Sequence, residues 1–150
     1  MPRIVREADI AWEGTTARGS GSVRAASTGS FELPTTIAAR GQVQEGKTSP
    51  EELLAAAHAA CFVTSLGSEL ARLGTPPERM HVHCTITMDE VEGAGHRIVA
   101  SEITARAVAP GADAASFAKA AAAADEGCPF SGLIRASATV TVRATLEEGS

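Results

Sequence analysis

The chain has no tyrosine, and aromatic residues make up only 3% of its 150 residues. A nucleic-acid surface built on base stacking needs such rings, so that class is set aside. There is no basic excess either. The formal charge of -5 gives no general attraction to phosphate. No apolar run approaches the ~20 residues that span a bilayer, and the opening MPRIVREADIAWEG is charged and strand-like rather than a secretory leader. These absences predict a cytoplasmic protein without nucleic-acid or membrane partners. No glycine-rich nucleotide loop, CxxC or HExxH occurs, and nothing calls for haem or flavin, so no cofactor is expected. The three cysteines are an odd number, which argues against a structural disulfide framework. A thiol with a role is then metal-binding, catalytic or redox-active.

What is present fits one domain, 1–150, with 44% hydrophobic residues to build a core. The first 45 or so positions alternate short β-type runs (RIVREADIAW, VRAAS, TGSFELPTTIAAR) with glycine and serine turns, the pattern of a meander. In the first run Ile4, Ala8, Ile10 and Trp12 share a face, as in a half-buried antiparallel strand. TSPEE then opens a helix, with Thr48 or Ser49 as N-cap, Pro50 at the first position and Glu51 and Glu52 at the positive end of the dipole. Gly74 and Pro76-Pro77 stop it near Leu73. RMHVHCTITMDEV and HRIVASEITARAVA read as strands joined by EGAG. Cys84 falls on the core face of the first. A second helix is capped by Asp113 and closed by Gly127, and ASATVTVRATLEE is the last strand. The order βββ-α-ββ-α-β predicts an α+β fold with antiparallel sheets.

PEELLAAAHAACF, residues 50–62, holds the first candidate for chemistry. At ~100° per residue, Cys61 shares a stripe with Leu54, His58, Ser65, Ser68 and Arg72. The strongest apolar stripe, Ala56, Ala59, Val63, Leu66, Leu70 and Leu73, lies opposite. A space-filling cysteine belongs in that apolar stripe, although free cysteine is among the most buried residue types. His58, one turn before Cys61, could serve it as a base, but i, i+3 pairs on one helix arise by chance and the helix offers no third group to orient it, so it reads as a neighbour rather than a base.

Cys128 sits between Gly127 and Pro129, at the start of a further helix, where amides and the dipole favour a thiolate. Local chemistry therefore nominates Cys128 as the lower-pKa thiol. One cysteine inside a helix and one at a helix start suit a cycle in which one attacks and the other resolves.

TSPEELLAAAHAACF, followed at a distance by GCPFSGL and preceded by IAWEG and a glycine-rich hairpin, resembles the family of osmotically inducible protein C (OsmC) and the organic hydroperoxide resistance protein (Ohr), and is closer to the OsmC branch. The resemblance implies an OsmC-like fold in an intertwined homodimer, and a thiol-dependent peroxidase that reduces organic hydroperoxides to alcohols. It also implies Cys61 as the peroxidatic cysteine, Cys128 as the resolving cysteine, Glu51 as the motif glutamate and Arg40, at the end of the strand before the PEEL helix, as the arginine that favours the thiolate. Glu51 would hold that guanidinium by a bidentate pair. A Cys61-Cys128 disulfide would be reopened by an external dithiol, a protein-bound dihydrolipoyl group in the family. Phe62, Phe130 and Leu133 could line the peroxide site or simply pack in the core.

Ten helical positions separate Glu51 from Cys61, about 15 Å of rise with side chains turned about 80° apart. A Glu-Arg-Cys cluster is hard to build from one chain on that spacing. It is expected instead between subunits, with Arg40 and Glu51 of one completing the site around Cys61 of the other. The rival reading is a non-catalytic stress or metal-binding protein on the same fold, with His81, His83 and His96 or a cysteine as zinc ligands.

Overall fold

A computed structural model of the chain describes residues 2–149. Its contacts fall into two compact units, Met1–Leu53 and Leu54–Ser150.

The first unit is a three-stranded antiparallel sheet of β1 (Ala8–Glu13), β2 (Ser20–Ala25) and β3 (Glu32–Thr35), in the order β1-β2-β3. Trp12 pairs with Gly21. A Cβ on Gly21 would stand 2.6 Å from the indole ring, so the glycines of this hairpin make room for the only tryptophan. Pro34 is tolerated because β3 is an edge strand. Two expectations change here. The strand begins at Ala8 rather than Arg3, and it is exposed along its whole length rather than half-buried, with Ile10 at 62%. After β3 the chain also leaves the strand, and Ala38–Gly41 form a one-turn helix, α1, that contains Arg40.

Helix α2 (Pro50–Arg72) begins as its sequence predicts. The Ser49 hydroxyl accepts from the Glu52 amide at 3.2 Å, and Thr48 Oγ1 donates to Glu52 Oε1 at 2.8 Å. It is 23 residues long, and by length and composition alone it is long and apolar enough to cross a membrane. Core helices pass the same test, and α2 has a core stripe. The buried positions are His58, Phe62, Leu66 and Leu70, an i, i+4 ridge that keeps Leu66 and Leu70 of the expected apolar stripe, leaves its Ala56 and Leu73 exposed and adds His58 and Phe62. Alanine spread around the helix flattens its hydrophobic contrast, so the large side chains and not the average decide the face.

The second unit holds a mixed sheet in the order β4-β5-β6: β4 (Arg79–Val91), β5 (Gly95–Val108) and β6 (Thr139–Leu146). β4 and β5 form a long antiparallel hairpin. β6 lies parallel to β5, where consecutive-strand reasoning expects antiparallel pairing. Parallel neighbours need a crossover, and helices α3 (Ala114–Gly127) and α4 (Pro129–Arg135) supply it. Asp113 caps α3 in a reciprocal box with Ser116. Phe62, Leu66 and Leu70 join Ile103, Ala105 and Ala107 of β5 and Phe117, Ala120 and Ala124 of α3 in one buried cluster. Burying a side chain the size of Phe62 contributes about 1.5–3 kcal/mol.

Candidate active site

Cys61 comes from the middle of α2, and Cys128 from the junction where α3 ends and α4 starts, with Pro129 at the first position of α4. Their sulfurs stand 3.1 Å apart as free thiols. Cys128 is buried and Cys61 partly exposed.

The two thiols differ in acidity. Burial works against a thiolate at Cys128, but the Ser131 amide, the Cys61 thiol, the Ser131 hydroxyl and the Phe130 amide outweigh it and bring Cys128 below the ordinary cysteine value. No short capping bond closes onto the sulfur, so these groups act through electrostatics over slightly longer reach. At Cys61, burial and the contact with Cys128 push the thiol up, against the Phe130 amide and Ser65. This matches the local reading that nominated Cys128.

Arg40 and Glu51 meet in the first unit. Arg40 donates from Nε at 3.0 Å and from a terminal nitrogen at 2.7 Å, both to Glu51 Oε1. Both bonds of the expected bidentate pair therefore close on one carboxylate oxygen. Glu51 Oε2 is buried and makes no hydrogen bond among the described residues. Burial raises the Glu51 carboxyl, and the bond and charge of Arg40 overcome this to hold it below the ordinary value. The same bond and charge keep Arg40 firmly protonated.

Sequence reasoning missed a polar cluster beneath Cys128. His58 is fully buried, with Nδ1 2.6 Å from Ser101 Oγ and Nε2 2.8 Å from Ser131 Oγ. Cys84 Sγ lies 3.3 Å from Ser101 Oγ and 3.8 Å from His58 Nδ1. The orienting partners that α2 itself lacks come from β5 and α4. A buried polar residue in an apolar ridge is the only signal the sequence offers. Of the three residues weighed for an apolar lining, Phe62 belongs to the core, whereas Phe130 and Leu133 are exposed. His81 and His83 stand exposed on β4, and His96 pairs with Glu90 at 2.9 Å. Among the described residues no three His, Cys, Asp or Glu side chains converge as a metal site would require.

A family model described as OsmC-like protein matches residues 43–143. The chain belongs to the OsmC-like family. It is 33% identical over 137 residues to the peroxiredoxin OsmC of Escherichia coli K12, covering 91% of this chain and 94% of that one. The fold is shared with the organic hydroperoxide resistance protein OhrB of Bacillus subtilis, with a TM-score of 0.71 at 22% identity over 93% of this chain and 98% of the other. An OsmC-like protein of unknown function from Vibrio cholerae superposes with a TM-score of 0.78 at 13% identity, over 95% of this chain and all 100% of its own. An OsmC-like fold thus carries the thiol pair in this chain.

Proposed function

We propose that this OsmC-like protein is a cytoplasmic thiol peroxidase that reduces organic hydroperoxides to alcohols through Cys61 and Cys128. The observation that carries the reading is the 3.1 Å separation of two free thiols, one partly exposed and one buried. Such a pair can close to a disulfide with little backbone movement. The 33% identity to a protein named a peroxiredoxin supports it.

In this reading the Cys61 thiolate attacks one oxygen of the hydroperoxide. A sulfur–oxygen bond forms, the oxygen–oxygen bond breaks, and the alkoxide leaves as the alcohol after taking a proton. Cys61 becomes a sulfenic acid. Cys128, as thiolate, attacks that sulfur; hydroxide departs as water and the disulfide forms. An external dithiol, a protein-bound dihydrolipoyl group on the family pattern, restores both thiols in two exchange steps.

Within one chain, burial and Cys128 disfavour the Cys61 thiolate, so positive charge must reach it from elsewhere. Arg40, oriented by Glu51, is the candidate, supplied by a second copy in a homodimer. Exposed Ile10, Trp12 and Leu33 on the first sheet support a second copy covering that surface. Phe130 and Leu133, exposed on the helix that follows Cys128, offer an apolar peroxide a surface to bind.

Intact-mass analysis of the reduced protein after one equivalent of cumene hydroperoxide, with peptide mapping, tests the cycle. Loss of two hydrogens mapped to Cys61-Cys128 is expected. An unchanged thiol count would overturn the reading.

A further inference from the structure

Helix α4 follows directly on Cys128 and is only 7 residues long. A helix that short does not hold its place by its own backbone, so its anchors set its position. Ser131 and Ile134 form its buried side. At its far end Arg135 donates from a terminal nitrogen to Oδ2 of Asp125, in the last turn of α3, at 2.6 Å. The two helices thus make a corner with Cys128 at the apex and an ion pair across the opening. The backbone bond at the apex is long, with the Cys128 amide 3.4 Å from the Asp125 carbonyl oxygen.

Asp125 occupies its place against local rules. The negative end of the α3 dipole opposes a carboxylate in the last turn. Its Oδ1 is buried and makes no hydrogen bond among the described residues, which is unfavourable for a charged oxygen. Asp125 also lines a groove made otherwise of Ala118, Ala121, Ala122, Val142 and Ala144. With the Arg135 side chain 44% exposed, the pair contributes little to stability. Stability does not explain this ion pair, whereas its place across the corner that carries Cys128 does.

We propose that Asp125 and Arg135 are positioning residues for the resolving step: their ion pair closes the α3–α4 corner and keeps Cys128 Sγ against an oxidised Cys61. The proposal rests on the two-cysteine cycle. The sulfurs stand 3.1 Å apart and a disulfide brings them to about 2.05 Å, so an ångström of slack at the corner about doubles the distance to be closed. In that step the Cys128 thiolate forms the sulfur–sulfur bond and is oxidised. The Cys61 sulfenic sulfur is reduced as its sulfur–oxygen bond breaks, and the departing hydroxide takes up a proton to become water. A sulfenic acid that waits meets a second hydroperoxide, which adds another oxygen to the sulfur and leaves as alcohol. The sulfinic acid so formed is out of reach of a dithiol. The corner therefore governs how the oxidised Cys61 divides between disulfide and sulfinic acid.

The test separates the two chemical steps. Reduced wild type, Asp125→Ala, Arg135→Met and Arg135→Lys are mixed with one equivalent of cumene hydroperoxide and quenched at intervals. Sulfenic acid is trapped with dimedone, disulfide is read by mass, and a parallel series with excess peroxide counts sulfinic acid. In Asp125→Ala and Arg135→Met, condensation to the disulfide should slow about fivefold, the scale of one partly exposed ion pair. Sulfinic acid should accumulate under excess peroxide, while sulfenic acid forms at the wild-type rate and the urea midpoint does not fall. Arg135→Lys, which keeps the charge, should retain most of the condensation rate. High salt should slow wild-type condensation toward the Arg135→Met rate and leave that variant unmoved, because salt screens an exposed pair. Unchanged condensation in Asp125→Ala and Arg135→Met overturns the proposal and leaves the two-cysteine cycle standing. Slowing of both chemical steps together with a lower urea midpoint also overturns it, because the pair is then only part of the fold. If wild type itself yields neither sulfenic acid nor disulfide, the cycle fails and the proposal with it.

Discussion

The sulfurs of Cys61 and Cys128 stand 3.1 Å apart although 67 residues separate them along the chain. The contact is made because α2 presents Cys61 beside the buried ridge of His58 and Phe62, while the α3–α4 junction turns Cys128 inward. Proximity of this kind converts a bimolecular thiol reaction into an intramolecular one.

The two thiols should therefore fail in different ways. Cys61→Ser should consume no organic hydroperoxide. Cys128→Ser should consume one equivalent and stop with one oxygen added, because the sulfenic acid has no partner. Mass spectrometry before and after addition of dithiol distinguishes these end points. Disulfide formation between other cysteines in Cys128→Ser would contradict the pairing.

The Arg40–Glu51 pair should matter far more to activity than to stability. The Arg40 side chain is 40% exposed, so removing its partner in Glu51→Gln should cost no more than about 1 kcal/mol at neutral pH. Arg40 holds the folded carboxyl below its ordinary value, against burial. Its contribution is present above the unfolded value and is lost as pH falls through the folded one. Urea denaturation of both proteins should show a small difference at pH 7 that shrinks as pH falls below the unfolded value of about 4.3, while peroxidase activity of the variant falls by more than tenfold.

His58 should give the wild type an acid limb of its own. Burial, with Arg135 adding to it and Asp125 opposing it, holds the imidazole below its ordinary value, so the folded state keeps it neutral. The unfolded chain binds the proton first as pH falls below about 6.5, and stability declines from there until the folded value is passed. The gap between the denaturation midpoints of wild type and His58→Gln should change between pH 7.5 and pH 5, because only the wild type carries this slope. Parallel profiles would show that His58 titrates no differently once folded.

How much of this was legible in the sequence follows from the range of each interaction. The Ser49 cap, the Asp113–Ser116 box and the stop at Gly74 are made within a few residues, and the local pattern contains them. The contrast between the thiols was likewise legible at Cys128, because the amides that face it belong to the next three residues. The parallel placement of β6 was not, since alternation fixes a strand's faces but not its neighbour's direction. Nor were the partners of His58, which lie 43 and 73 positions away. Arg40 was read as a strand end because the single turn of α1 is too short to show helical periodicity.

Arg40 supports one further prediction, about which subunit serves which thiol. If each subunit's Arg40 activated its own Cys61, a chain lacking either residue would be inactive in any mixture. If Arg40 serves the other copy, Cys61→Ser and Arg40→Met compensate. A mixed dimer then has one site with an intact Cys61 from the Arg40→Met chain and an intact Arg40 from the Cys61→Ser chain, while its second site lacks both. Isologous pairing makes these two sites equivalent by symmetry in the wild type. Random association yields about half mixed dimers, each with one of two sites working, so refolding the two inactive variants together should recover about a quarter of wild-type activity. Simple mixing without refolding should recover less if the copies are intertwined and exchange slowly. Absence of any recovery, with mixed dimers verified by mass, would place the activating charge within the same chain. Glu51→Gln should behave as Arg40→Met does in this assay, since its role is to orient that guanidinium.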